Sequence, residues 1–211
     1  MLVAGSLLNH VGTRDLKKAA TRQALVDAAM RLFAERGVEA TSMDQIARAA
    51  GTSRTTVFNY FPYKELILCE IGARYVDEIA AGALSGSRRR SARATLRSLA
   101  DVIAQLAARE PTVMAAVARE IAHPDPRRRQ VAMETMRYPR LVSGVLDQLA
   151  AEGRVRNPED RAAYERQLVD LTTGTLVRAG GDFPLAQLRT ELYRNIDLFL
   201  SGAGADTAAR A

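Results

Sequence analysis

The chain has 211 residues, 47% of them hydrophobic and 26% charged, with a formal net charge of +6. That balance belongs to a folded protein rather than a disordered tail, and at roughly 100 to 150 residues per domain the length allows a small head on a larger body. One cysteine, Cys69, excludes an internal disulfide, and one thiol with two histidines has no zinc-ligand spacing, so neither metal nor other cofactor is expected.

The positive charge suits a polyanionic partner. Between Arg14 and Glu70, however, nine basic side chains face seven acidic ones, so the excess lies mostly elsewhere. The start, MLVAGSLLNH, has no positive flank and its apolar run breaks at Asn9 and His10. No stretch reaches the roughly 20 apolar residues that span a bilayer. A reducing cytoplasm and no membrane partner are the expectations.

In chain order, Leu25, Ala28, Ala29, Leu32 and Phe33 recur at helical spacing, with Thr21 as the expected cap and Gly37 as the stop. In TSMDQIARAAG, Ser42 and Gln45 stand three apart as a capping box, which predicts a short helix over Met43 to Ala50. Gly51 permits a tight turn, Ser53 can cap a helix over Arg54 to Phe61, and Pro62 ends it. A longer amphipathic helix is predicted over Lys64 to Leu84. After LSGSRRRS, helical patterns cover Leu96 to Leu106, Val113 to Ile121, Met133 to Leu149, Pro158 to Val177 and Pro184 to Leu200. No period-2 pattern of useful length occurs, so an all-α fold is expected. The first dozen residues and the tail GAGADTAARA are expected to be disordered.

Two short helices joined by a tight turn fit a physical need. The DNA major groove is about 12 Å wide and admits one helix, which a second helix must brace. Ile46, Ala47 and Ala50 are placed to face inward on the brace, and Val57 and Phe61 to anchor the reader, leaving Arg54, Thr55, Asn59 and Tyr60 outward. Arg pairs with guanine, Asn with adenine, and a Thr methyl can meet a thymine methyl. Thr41, Ser42, Thr56 and Lys64 sit at helix ends, where phosphate contacts are favoured.

The segment GVEATSMDQIARAAGTSRTTVFNYFPYKELI carries an Ile-Ala pair, an Ala-Gly turn, a Thr-x-Phe-x-Tyr-Phe helix and a following Lys. It resembles the N-terminal signature of the tetracycline-repressor (TetR) family of bacterial regulators, over about Thr21 to Ile71. The resemblance implies base or phosphate contacts at Arg54, Thr55, Thr56, Phe58, Asn59 and Tyr60, and a phosphate-binding Lys64. Many members have Tyr at the position of Phe58, and Phe has no hydroxyl to donate.

The resulting expectation is an N-terminal three-helix helix-turn-helix head joined to a C-terminal helical body for ligand binding and dimerisation. The divisions are a flexible arm over 1–13, the head over 14–63, the body over 64–201 and a disordered tail over 202–211. Function is expected to be that of a sequence-specific, effector-released regulator of a palindromic site on double-stranded DNA, acting as a homodimer and not as an enzyme. The competing reading is a helical enzyme or small-molecule carrier without sequence-specific DNA binding.

Arg14, Lys17 and Lys18 can form a basic arm towards DNA. The clusters Arg88, Arg89, Arg90, Arg93 and Arg97, and Arg127 to Arg129, are expected to be solvated surface. Tyr75, Met114, Met133, Met136 and Tyr138 are candidates to line an apolar effector cavity. Leu168, Leu171, Thr175, Leu188, Leu192 and Ile196 are candidates for the dimer interface, as the resemblance also implies.

Overall fold

The computed structural model describes residues 12–84, 90–155, 157–180 and 184–203. Among them there are ten α-helices and no strand. Of the expected arm over 1–13 and tail over 202–211, residues 1–11 and 204–211 lie outside the described residues, as do Arg88 and Arg89, while Thr13, Gly202 and Ala203 are helical rather than disordered.

Helix α1 (Thr13–Arg36) starts two turns earlier than its apolar pattern implied. Leu16, Lys17, Lys18, Ala19 and Ala20 are strong helix formers, so propensity carries the helix beyond its buried face. Thr21 is therefore interior to the helix and its hydroxyl donates to the Lys17 carbonyl at 3.0 Å. Arg14, Lys17 and Lys18 are helical rather than part of a flexible arm. Gly37, at φ 82°, ends the helix, and its amide donates to the Phe33 carbonyl.

Helix α2 (Met43–Ala49) opens with the expected reciprocal cap: Gln45 N donates to Ser42 Oγ at 3.2 Å and Ser42 N to Gln45 Oε1 at 2.8 Å. Gly51 turns the chain at φ 67°. Helix α3 (Arg54–Tyr60) is capped by Ser53, which accepts from Thr56 N, and it stops where Phe61 becomes extended before Pro62. Leu25, Phe33, Ile46, Val57 and Phe61 are buried at the centre of the three helices.

Helix α4 (Lys64–Leu84) leaves the head and runs into the body. Ile67, Leu68 and Ile71 are buried in a core that is continuous with both. The remaining helices are α5 (Ala92–Arg109), α6 (Pro111–Ile121), α7 (Pro126–Met136), α8 (Tyr138–Ala151), α9 (Arg161–Ala179) and α10 (Leu185–Ala203), with a 3-10 turn at Pro158–Asp160. Helix α10 lies against α5 and α9, α6 against α9, and α4 against α5 and α7.

The single helix expected over Met133 to Leu149 is two. Pro139 has no N–H and its ring would collide with the carbonyl four residues back, so an unbroken helix cannot pass through it. The chain breaks instead at Arg137, whose φ of 55° and ψ of 22° make it the one non-glycine residue in the left-handed region among those described.

Ion pairs join the layers. Arg93 and Arg97 on α5 pair with Asp197 on α10, and Tyr193 Oη donates to Asp101 at 2.7 Å. Arg128 pairs with Glu120 and stands 3.8 Å from Glu65 of α4. Arg93, Arg97 and Arg128 therefore do more than solvate the surface expected of their clusters.

Candidate nucleic-acid interface

Helix α3 is held from behind and open in front. Val57 and Phe61 are fully buried, while Arg54, Thr55, Phe58 and Asn59 are exposed and Tyr60 and Thr56 are half-buried. This division follows from the 3.6-residue period: the apolar positions stand four apart and the polar ones fill the opposite arc.

The outward side chains differ in how free they are. Arg54 is ion-paired to Asp44 of α2, and its guanidinium lies 5.3 Å from the centre of the Phe58 ring. The Thr56 hydroxyl shares a 2.8 Å hydrogen bond with Ser53 Oγ. Ser42 is exposed, with its oxygen engaged in the cap.

Two expected phosphate residues are placed differently. Thr41 is 2% exposed and its hydroxyl donates to the Gly37 carbonyl at 2.8 Å, so it closes the α1–α2 connection and is covered from any phosphate. Lys64 is more enclosed than a surface contact requires. Its ammonium donates to the Val38 carbonyl at 2.8 Å and lies 3.6 Å from Glu39 Oε2. Both side chains donate to carbonyls of the α1–α2 connection, Thr41 to Gly37 and Lys64 to Val38.

The early start of α1 brings the cations expected in a flexible arm onto a helix. Arg14, Lys17, Lys18 and Thr21 share a surface groove with Tyr60 at the end of α3. Three cations thus stand beside the reading helix on a rigid element, where attraction to phosphate is strongest close to the surface. Arg22, on the next turn, stacks 4.4 Å from the Phe61 ring centre and pairs with Glu70 of α4, bracing the head on its connector.

In the body, the five expected cavity residues do not converge. Met136 is fully buried against Gly72, and Tyr75 is buried with its hydroxyl donating to Glu110. Met114 borders a small gap near Leu188, and Met133 an open cleft beside α9. Only Tyr138 faces the small apolar cavity, of about 50 Å³, that lies between α5, α8, α9 and α10. Its walls include Leu96, Ile103, Val142, Leu171 and Ile196, with Thr172 and Asn195 as polar positions. Burial pushes the Tyr138 hydroxyl up to about 12, which keeps it neutral.

The six expected dimer residues also turn inward. Leu168, Thr175, Leu188, Leu192 and Ile196 are buried within the single chain, and Leu171 is half-buried in the cavity wall. An apolar stripe on the last two helices serves the chain's own core first. The outer faces carry other residues, including Leu185 at 42% and Leu198 at 61% exposure. Cys69 is buried, and burial pushes its thiol up to about 12. Among the described residues no group of side chains is arranged to hold a metal ion, and no helix is long and apolar enough to cross a membrane.

Comparison with known proteins matches this geometry. The family profile "Bacterial regulatory proteins, tetR family" covers residues 25–71, and the profile "TetR/AcrR family transcriptional repressors, C-terminal domain" covers residues 76–202. The HTH-type transcriptional regulator AcrR of Shigella flexneri is 43% identical over 51 residues, 24% of each chain. The HTH-type transcriptional repressor KstR2 of Rhodococcus jostii is 39% identical over 62 residues, 29% of this chain and 30% of that protein. These curated matches therefore span less than a third of either relative. A solved structure of Thermus thermophilus FadR, a TetR-family repressor in complex with lauroyl-CoA, is 32% identical, with a TM-score of 0.74 over 90% of this chain and 98% of that one. A profile matching the body as well as the head leaves the enzyme or carrier reading without support. The chain belongs to the TetR family and is, with that family, a DNA-binding transcriptional regulator.

Proposed function

We propose that the protein is a homodimeric repressor in the bacterial cytoplasm that reads a palindromic operator with α3 and leaves it when an effector with a long apolar chain, of the acyl-CoA class, enters the body. The observation that carries the DNA half is the arrangement of α3, with Arg54, Thr55 and Asn59 exposed over a fully buried Val57 and Phe61. Ser42, Thr56, Tyr60 and the cations of α1 position the head through phosphates. Two readers spaced by one DNA turn, about 34 Å, require a two-fold dimer. The outer faces of α9 and α10, with Leu198, are the surface assigned to it.

The effector half rests on the cavity. Its walls are almost wholly apolar, and a chain of methylenes is the ligand that such walls reward; at about 50 Å³ the cavity has to widen to admit one. The similarity to a repressor solved with lauroyl-CoA supports the same class here. Release follows if the ligand prefers a body shape in which α4 is displaced. A swing from 99:1 to 1:99 needs about 5.5 kcal/mol of differential binding.

A gel-shift competition tests the reading. A palindrome from the region upstream of the protein's own gene should outcompete random duplex, and lauroyl-CoA should abolish the shift. Equal competition by random duplex overturns the operator reading, and a shift indifferent to lauroyl-CoA overturns the effector class.

A further inference from the structure

The apolar cavity has a polar neighbour. A more open cleft of about 350 Å³ lies between α4, α5 and α8, and Leu99, Leu141 and Val145 form the wall between the two. The chemistry changes across that shared wall. The inner side is lined by leucine, isoleucine and valine; the outer side holds Thr95, Gln148, Asp77, Arg137 and Arg140.

Three features make the outer side suited to an anion. Arg140 is exposed and makes no ion pair among the described residues. Arg137 is directed to the cleft by its left-handed backbone at the α7–α8 break, and pairs there with Asp77 of α4 at 3.0 Å. Helix α8 begins here with no side-chain cap, and Arg137 and Arg140 at its start are part of the cleft wall. Guanidinium groups bind phosphate through paired N–H donors, a geometry that lysine cannot offer.

We propose that Arg137 and Arg140 form the head-group half of the effector site, taking the phosphates of a ligand whose apolar chain occupies the inner cavity. This rests on the effector reading above and adds a consequence to it. A phosphate reaching Arg137 competes with Asp77, and Asp77 belongs to the helix that enters the head. Head-group binding therefore removes one exposed tie between α4 and the α7–α8 break, whereas the apolar tail alone fills space without touching that tie. A ligand needs both halves to release DNA.

The test is calorimetric titration of the full chain with lauroyl-CoA, laurate and CoA alone. Arg140→Gln should weaken lauroyl-CoA on the order of tenfold, the loss of a charged hydrogen-bond pair, and leave laurate unchanged. Arg137→Gln/Arg140→Gln should weaken it further, and Asp77→Asn should tighten it by about two- to fivefold by removing an exposed competitor. Because Arg140 is exposed and unpaired, its single variant keeps the test valid if the double variant misfolds. Equal loss of laurate and lauroyl-CoA in Arg140→Gln, or no loss of lauroyl-CoA, overturns the head-group site. Wild-type protein that binds laurate but not lauroyl-CoA overturns it too, leaving the cavity. Wild-type protein that binds neither removes the effector class itself, and this site with it.

Discussion

Arg54, the first residue of the reading helix, is held by Asp44 of the bracing helix before any DNA is present. The pair is exposed, and one oxygen of Asp44, Oδ1, is buried without a hydrogen-bond partner. Arg54 must therefore exchange a carboxylate for a base or phosphate when it binds. Exposed pairs of this kind are worth about 0.2–1 kcal/mol, whereas a bidentate contact to guanine discriminates by about 1–3 kcal/mol, so the exchange is favourable at a cognate base and close to neutral elsewhere. Arg54→Ala should lower operator affinity by about 1–3 kcal/mol with little change in the thermal melt. Asp44→Asn should raise affinity for both duplexes, and for the operator at least as much as for random DNA. Fluorescence anisotropy with both duplexes checks both outcomes.

Arg14, Lys17 and Lys18 stand beside Tyr60 on an ordered helix. Each of these cations that meets a phosphate contributes about one unit to the slope of log K against log salt. Lys17→Ala and Lys18→Ala together should flatten that slope and weaken operator and random DNA alike. A loss confined to the operator would count against phosphate contact.

The Ser42–Gln45 cap holds α2, which is only seven residues long and cannot stand alone. Ser42→Ala should cost about 1 kcal/mol in urea unfolding, and Ser42→Asp, which restores an acceptor, should recover most of it.

Head and body legibility differed for a physical reason. Caps, glycine turns and the pre-proline stop act within a few residues, so Ser42, Gly51, Ser53 and Phe61 were readable without any tertiary information. Leu168, Leu188, Leu192 and Ile196 were readable as apolar, but period alone does not say whether an apolar stripe meets the chain's own core, a cavity or a second subunit. The methionines misled for a related reason: a flexible thioether fills gaps wherever packing leaves them, and Met136 does so at Gly72. Thr41 and Lys64 were legible as helix-end residues, yet carbonyls of the α1–α2 connection took their donors.

Gly72 leaves no room for a methyl group. A Cβ there would stand 2.6 Å from Met136 Sδ, and Met136 is fully buried. Gly72→Ala should destabilise by at most about 1–2 kcal/mol, the overpacking against Met136 being offset by the roughly 1 kcal/mol that Ala gains over Gly inside a helix. Shortening the neighbour in the same chain, Gly72→Ala/Met136→Val, should cost less than the sum of the two single changes. A double-mutant cycle in urea reads that coupling.

Cys69 supplies a pH test. Burial, then the nearby Glu120, raises its thiol from 9.0 to about 12 in the folded chain, while the unfolded thiol keeps the lower value. The unfolded state therefore releases a proton first as pH rises. The contribution of the neutral thiol to stability is full below pH 9 and is lost between about 9 and 12. Cys69→Ala should make the urea midpoint fall less steeply across that window. Native protein at pH 8 should react with a thiol reagent far more slowly than protein in urea.

Helix α4 has 21 residues, and at about 1.5 Å per residue it is a lever roughly 31 Å long. With its far end pivoting against the body, a tilt of about 6° carries the end beneath the reading helix through about 3 Å, close to the roughly 3.4 Å between successive bases. Two readers swung in opposite senses would miss their half-sites by about two base steps. The angular tolerance of the operator complex is thus set by the length of one helix, and a disturbance too small to disrupt the core is large enough to spoil the fit to DNA.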